Sequence, residues 1–352
     1  MGVSRLKANL TGDLPMTVSA PYQEFPVATT FGLEVPAKVM ALGFADASNP
    51  HIPAKSDGYA FRRVFLRELL AFLRDPSGDA LYVTGPTGSG KTSGICEVAA
   101  RLNWPVQQVT CHGRMEVTDL IGHHTLMSRV PGETPVMTFQ HGPLAVAMRE
   151  GHILLLNEVD MMDPGELSGL NDVLEGRPLV IPQNAGEVIK PHPMFRVVVT
   201  GNSVGNGDAT GLYQGIAMQN LAAMDRYRIV EVDYAKPEVE AKILAAVAGR
   251  LPENLRDRMI SVANEIRRLF KGEEGMGGEI AITMSTRTLV RWAKLSIRFH
   301  KAVNPQGERN ALAYALDQAL LRRARPEEKE AIVRIASDTF GDQWVDGDQG
   351  DD

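Results

Sequence analysis

The stretch GPTGSGKT, residues 85–92, lies between an apolar run, ALYVTG (80–85), and a segment with helical spacing from about Lys91 to Asn103. Glycine and lysine at these intervals match a phosphate-binding loop. The glycines let backbone N–H groups turn inward onto phosphate oxygens. Lys91 is spaced to reach β and γ phosphates, Thr92 offers a hydroxyl to Mg²⁺, and the helix that follows presents its positive end. The motif needs a strand before it and a helix after it, and both are legible here. Gly85, Pro86, Thr87, Gly88, Ser89, Gly90, Lys91, Thr92 and Ser93 are therefore the candidate phosphate contacts, and ATP with Mg²⁺ the implied cofactor.

Two further stretches share the pattern of an apolar strand that ends in a polar group. In ILLLNEVD (153–160) the run meets Asn157 and then Glu158. In phosphate-loop ATPases the first of two acids at this place holds magnesium through water and the second orients the attacking water. Glu158 is the candidate for the second role. Asn157 takes the first position with an amide, whose carbonyl accepts a hydrogen bond from a magnesium-bound water but brings no charge. One missing charge in a water-rich site weakens metal binding by about 1 kcal/mol. Asp160 is a candidate helper to Glu158, but two residues further on it reads more as the start of a turn. In VVVTGNSVGNGD (197–208) the strand ends at Thr200 and Asn202 follows. That amide is placed to bridge the attacking water and the γ-phosphate, although asparagine in a glycine-rich turn is by itself an ordinary turn residue.

Further out, apolar strands at 105–110, 195–202 and 227–234 alternate with helical segments at 61–75, 142–151 and 164–176. Core strands apolar on both faces predict a parallel sheet covered by helices. Residues 128–140, around Pro-Gly-Glu-Thr, and 178–190 read as hairpins. From Pro237 the chain turns helical, with segments at 237–250, 252–271, 285–303, 308–323 and 326–340. The expected division is an arm and extended lead-in over 1–55, a nucleotide-binding α/β domain over 56–235, a helical lid over 236–340, and an acidic, disordered tail over 341–352.

The 352 residues carry a net charge of −6, which gives no global electrostatic case for nucleic acid or an anionic membrane. Two cysteines, Cys96 and Cys111, have no metal-ligand spacing and are expected to be reduced and at least partly buried. No apolar run approaches a bilayer span. The N-terminus has no signal-peptide core, and Leu6 breaks the myristoylation pattern, so a cytoplasmic location is expected. The adjacent His123 and His124 diverge on any regular element and do not form a metal pair. RRLFK and LLRRARPEEKE read as solvated helix faces.

Together these residues resemble the AAA+ ATPases of the MoxR branch, and within it the CobS type, the small ATPase subunit of aerobic cobaltochelatase. The likeness is carried by GPTGSGKTSGICEVAARLNWP, DLIG, PHPMFRVVVTGNSVGNGDATGLYQG, MDRY and MSTRTLVRWA, over about residues 55–300. The resemblance implies a five-stranded AAA+ core with hairpin insertions facing a ring pore or partner, and a helical lid. It also implies a homo-oligomeric, usually hexameric ring that works with a von Willebrand-type partner. It gives Asn202 the first sensor role, Arg226 that of an arginine presented to the neighbouring subunit's ATP, and Arg287 that of a second sensor on the lid. Asn157 departs from the aspartate usual in the family. Three activities follow as alternatives. The first is an ATP-driven ring that remodels a partner protein, and the second an ATPase subunit that drives cobalt insertion into a corrinoid precursor. The third is an ATP-binding scaffold with little hydrolysis.

Overall fold

The computed structural model describes residues 22–128, 134–203, 219, 221–272, 278–301 and 310–344. The chain enters as strand β1 (Tyr22–Pro26), a short helix α1 (Val27–Phe31) and strand β2 (Met40–Phe44), with β1 and β2 antiparallel. The expected arm is thus partly ordered. Val27, Phe31, Ala41 and Phe44 are buried against the main core, and the N–H of Phe44 donates to the Leu102 carbonyl at 2.9 Å. Residues 1–21 lie outside the described residues.

Helix α2 (Arg63–Arg74) buries Phe65, Leu69, Phe72 and Leu73 at i, i+4, i+7 and i+8, one face of a 3.6-residue period. Strand β3 (Ala80–Thr84), helix α3 (Lys91–Arg101) and strand β4 (Val106–Thr110) follow. Next come α4 (Val117–Ile121), the hairpin β5 (Gly122–Met127) and β6 (Val136–His141), α5 (Pro143–Glu150) and β7 (Ile153–Asn157). The first hairpin begins six residues earlier than its turn chemistry suggested. The turn itself, 129–133, lies outside the described residues.

The helix expected over 164–176 is broken into α6 (Pro164–Leu167), a 3₁₀ turn (Ser168–Leu170) and α7 (Asn171–Leu174). The second hairpin is short, β8 (Leu179–Ile181) with β9 (Glu187–Ile189). Strand β10 (Arg196–Gly201), α8 (Leu221–Met224) and β11 (Tyr227–Glu231) complete the α/β part.

The central sheet has five parallel strands in the order β11-β3-β10-β7-β4. Alternate residues feed opposite faces, as the two-residue period of a strand requires. Leu81, Val83, Ile153, Leu155 and Val198 join α2 and α3 in one core. Tyr82, Leu154, Leu156, Val197 and Val199 join α5, α6 and α7 in the other. Both faces are apolar because both are covered.

Five helices follow, α9 (Pro237–Val247), α10 (Glu253–Lys271), α11 (Thr286–Arg298), α12 (Ala311–Ala319) and α13 (Pro326–Phe340), with a core of their own around Leu244, Ile266, Trp292 and Phe340. This is the α/β AAA+ fold with a helical lid. Inside the lid, Glu240 and Arg267 form a fully buried bidentate pair at 2.8 and 2.9 Å, and the Thr286 hydroxyl donates to the same carboxylate at 2.7 Å. Trp344 is buried against the lid core, so regular structure extends four residues into the expected tail. Residues 345–352 lie outside the described residues. Among the described residues no helix is long and apolar enough to cross a membrane. Cys111 is buried and Cys96 half-buried, both as free thiols.

Candidate functional site

In parallel strands the same end of every strand faces the same way, so the polar termini of β3, β10 and β7 meet at one edge. The loop after β3 wraps the start of α3. Gly88 and Gly90 hold φ of 70° and 88°, a region that suits glycine. Lys91, buried at the first position of α3, donates from Nζ to the carbonyls of Gly85 (2.5 Å) and Pro86 (3.2 Å) and to Oδ1 of Asn202 (3.0 Å). Burial pulls its ammonium down to about 8, against the opposing pull of Asp160 and then Glu158. Arg287 lies near enough to work against the same charge.

Thr92 donates its hydroxyl proton to Oδ1 of Asn157 at 2.6 Å. Asn157 is itself buried. Its Oδ1 also accepts from the Thr200 hydroxyl at 3.3 Å, and its Nδ2 donates to the Val109 carbonyl at 3.4 Å. The amide thus uses both of its ends, one toward Thr92 and one toward β4. Glu158, the next residue, leaves the strand at φ 55°, ψ 43°. A non-glycine residue in this left-handed region carries about 1–2 kcal/mol of strain. The turn puts the Glu158 side chain in the open while its backbone N–H donates to Thr200 Oγ1 at 3.3 Å.

The donor set suits a hard, oxygen-seeking cation carried on phosphates. Thr92 and Asn157 supply neutral oxygens side by side, and Glu158 adds an exposed carboxylate. Among the described residues no group of three or more His, Cys, Asp or Glu could hold a metal alone. Any ion here would depend on phosphate oxygens and water for most of its ligands.

Beside the loop lies a cavity of about 350 Å³. Its walls are the lead-in around Tyr59 and Ala60, the loop itself, and an apolar stripe from the lid formed by Val239, Ile243 and Val290, with Arg287 at the side. Arg62 ties these parts together by donating to the Ser89 carbonyl in the loop and to the Asp233 carbonyl where the sheet gives way to the lid, the latter at 2.6 Å. The lead-in is fixed in turn to α3: the Ser56 N–H donates to Glu97 Oε1 at 2.8 Å, and Glu97 pairs with Arg101. These walls escaped the sequence reading. Val239, Ile243, Ala246 and Val247 repeat at i, i+4, i+7 and i+8, the spacing of any helix that faces a core, so the pattern carried no mark of a ligand.

The sequence-derived residues fall into two groups. The loop residues Gly85 to Ser93, together with Asn157, Glu158, Asn202 and Arg287, converge on the sheet edge and the lid above it. Arg226 does not. It precedes β11, whose first residue, Tyr227, pairs with Ala80 at the start of β3, whereas the loop follows the end of β3. Five residues of strand separate the two levels, roughly 16 Å. Arg226 is paired there with Glu175 at 2.7–2.8 Å and donates to the Ala222 carbonyl. Residues 204–218, part of the Asn202 stretch, lie outside the described residues.

Residues 80–214 match the AAA domain of the dynein-related subfamily, and residues 240–339 match the C-terminal domain of the CbbQ/NirQ/NorQ proteins. The chain is 32% identical over 279 residues to the aerobic cobaltochelatase subunit CobS of a Sinorhizobium species, covering 78% of this chain and 80% of that protein. It is 30% identical over 263 residues to the protein YojN of Bacillus subtilis, covering 75% and 78%. A protein of Staphylococcus haemolyticus is 30% identical over 191 residues, covering 54% and 69%. With this loop, this sheet order and this helical lid, the chain belongs to the AAA+ ATPases of the MoxR branch, the group that includes the CobS cobaltochelatase subunit.

Proposed function

We propose that the protein is an ATP-hydrolysing motor subunit that forms a ring, hexameric as is usual in the family, and remodels a partner protein or complex. The observation that supports this most is the convergence at one sheet edge of Lys91, Thr92, Asn157, Asn202 and the exposed Glu158. Mg·ATP supplies the γ-phosphoryl group and the metal charge that offsets its developing negative charge. Lys91 exchanges the neutral carbonyls of Gly85 and Pro86 for phosphate oxygens, and Gly88, Ser89 and Gly90 present backbone N–H groups. Thr92 holds the metal side of the phosphates, with its proton directed to Asn157. Glu158 orients water and accepts its proton, while Asn202 bridges that water and the terminal phosphate. Arg287 reads the phosphate from the lid, and Arg226 serves the site of the adjoining copy. The apolar cavity takes the base.

Exposed apolar residues on both hairpins, Leu126, Met127, Val136 and Met137 on one and Val180 and Val188 on the other, suit contact with a client polypeptide. A von Willebrand-type protein is the partner the family resemblance suggests. Cobalt insertion into a corrinoid precursor is the second reading, favoured by identity that extends over 80% of the CobS subunit.

The test is phosphate release by the full chain, with and without partner. Glu158→Gln should bind ATP as the wild type does yet turn over at least about a hundredfold more slowly, while Lys91→Ala should lose ATP binding. Wild-type turnover no higher than that of these variants would sink the motor and leave the scaffold reading. Affinity capture with Glu158→Gln identifies the client: a corrinoid-binding chelatase subunit among the captured proteins would favour the second reading.

A further inference from the structure

The 3₁₀ turn after β7 buries a carboxylate whose part in the site so far is only its pull on the Lys91 charge. Asp160 has no solvent exposure. Its Oδ2 accepts from the backbone N–H groups of Asn202 at 2.7 Å and Ser203 at 3.2 Å. The next peptide unit is held too, since the Ser203 carbonyl accepts from the Tyr82 hydroxyl at 3.0 Å and the Thr84 hydroxyl at 3.0 Å. Tyr82 and Thr84 stand on β3, Asn202 and Ser203 follow β10, and Asp160 follows β7, three neighbouring strands of the sheet. Gly201 completes the clamp, because a Cβ there would fall on the Tyr82 hydroxyl.

A water-free carboxylate is costly unless it is strongly bonded. A neutral side chain could accept from the same two N–H groups at lower cost, so the charge calls for a reason. Hydrogen bonds to an ionised acceptor are shorter and stiffer than neutral ones. Here they fix the backbone at Asn202, whose side chain meets Lys91 Nζ at 3.0 Å. Asp160 Oδ1 has no hydrogen-bond partner among the described residues, so its described hydrogen bonds all go through Oδ2 to this turn.

We propose that Asp160 is a positioning residue for Asn202. With Tyr82 and Thr84 it locks the turn after β10, so that the Asn202 amide stays where water and the terminal phosphate meet. The proposal rests on the reading of Asn202 as a group that acts on hydrolysis.

The experiment measures kcat and ATP affinity for the full chain as Asp160→Asn, Asn202→Ala and the double variant. Asp160→Asn keeps the shape and an acceptor and removes the charge. We expect kcat to fall at least about tenfold, and by a larger factor than ATP affinity, which loses only the pull of Asp160 on Lys91. The double variant should be no slower than Asn202→Ala alone, because Asp160 acts through Asn202. Tyr82→Phe, which removes one bond to the Ser203 carbonyl, should slow turnover about two- to fivefold and show the same loss of effect in an Asn202→Ala background. It carries the test if Asp160→Asn does not fold. Wild-type turnover in Asp160→Asn beside a slow Asn202→Ala overturns the clamp alone, as does a double variant slower than Asn202→Ala by the full Asp160→Asn factor. Asn202→Ala turning over at the wild-type rate overturns the reading of Asn202, and the clamp with it.

Discussion

At position 157 an amide stands where the family usually carries a carboxylate, and its surroundings explain how the site tolerates it. Oδ1 receives the Thr92 proton at 2.6 Å, which any carboxylate would also do. Nδ2 faces the Val109 carbonyl at 3.4 Å, where a carboxylate oxygen would meet another oxygen instead. The amide thus keeps the bond to Thr92, gives up one negative charge beside that hydroxyl, and gains a weak bond to β4. Asn157→Asp should therefore move two quantities in opposite directions. The magnesium concentration for half-maximal phosphate release should fall several-fold, following the ~1 kcal/mol of added attraction. The metal-free protein should lose about 1–2 kcal/mol of stability through the lost hydrogen bond and the buried charge. Magnesium titration of phosphate release and denaturant unfolding without metal check the two arms. An unchanged magnesium requirement would mean that the 157 side chain serves Thr92 only.

Among the elements, the junction of the phosphate loop with α11 leaves little room. Ser285 caps α11 by accepting from the Thr288 N–H at 3.1 Å, and the cap lies directly against Gly88. A Cβ on Gly88 would come 2.5 Å from the Ser285 Cβ, and φ of 70° is strained for alanine in any case. Gly88→Ala should push the lid helix, and Arg287 with it, off the loop and weaken ATP binding by about tenfold or more, as read with a fluorescent ATP analogue. Adding Ser285→Gly removes the opposing Cβ at small capping cost and should restore part of the affinity. Wild-type affinity in Gly88→Ala would show that the lid does not bear on the loop.

The hairpins show a similar dependence on contacts distant in sequence. His141 on β6 and Glu187 on β9 meet at 2.6 Å, so the two insertions touch although 45 residues separate them in the chain. Strands β6, β8 and β9 fall in the stretches that turn chemistry marked as hairpins, whereas β5 lies wholly before its own. The pairing between hairpins was not legible, because neither sequence contains the other. The interrupted helix at 164–174 is a related case. Its apolar spacing and its Pro start were read correctly, whereas the 3₁₀ break has no local signal.

For the whole molecule the open question is what Arg226 does at the far end of the sheet from its own phosphate loop. Within one chain it holds a solvent-accessible ion pair with Glu175, a contact that water screens and that is therefore easily released. If it serves the neighbouring subunit, Arg226→Ala should leave ATP binding intact and lower turnover about a thousandfold or more. Mixing Arg226→Ala subunits with Glu158→Gln subunits should then regain activity that neither has alone, since an intact Glu158 site can sit beside a chain that still presents Arg226. Mixtures as inactive as the separate variants would leave Arg226 a surface ion-pair residue.

The sequence by itself determined the strand–loop–helix at 80–101, the strand carrying Glu158, the helical lid and the family. Each of these rests on local chemistry: glycine spacing, apolar runs of fixed period, capping residues. Asn202 and Arg287 were also legible, but only as positions, with no partner named. The tertiary structure decided what those positions touch. It placed Asn202 on Lys91 and gave the Asn157 side chain three bonding partners, Thr92, Thr200 and Val109. It closed the cavity with helix α9, and it turned Asp160 from an apparent turn residue into a buried anchor. The physical reason is that a parallel sheet brings together strand ends that lie about 40 to 120 residues apart. Hydrogen bonds between such ends leave no period, spacing or composition in the chain that forms them.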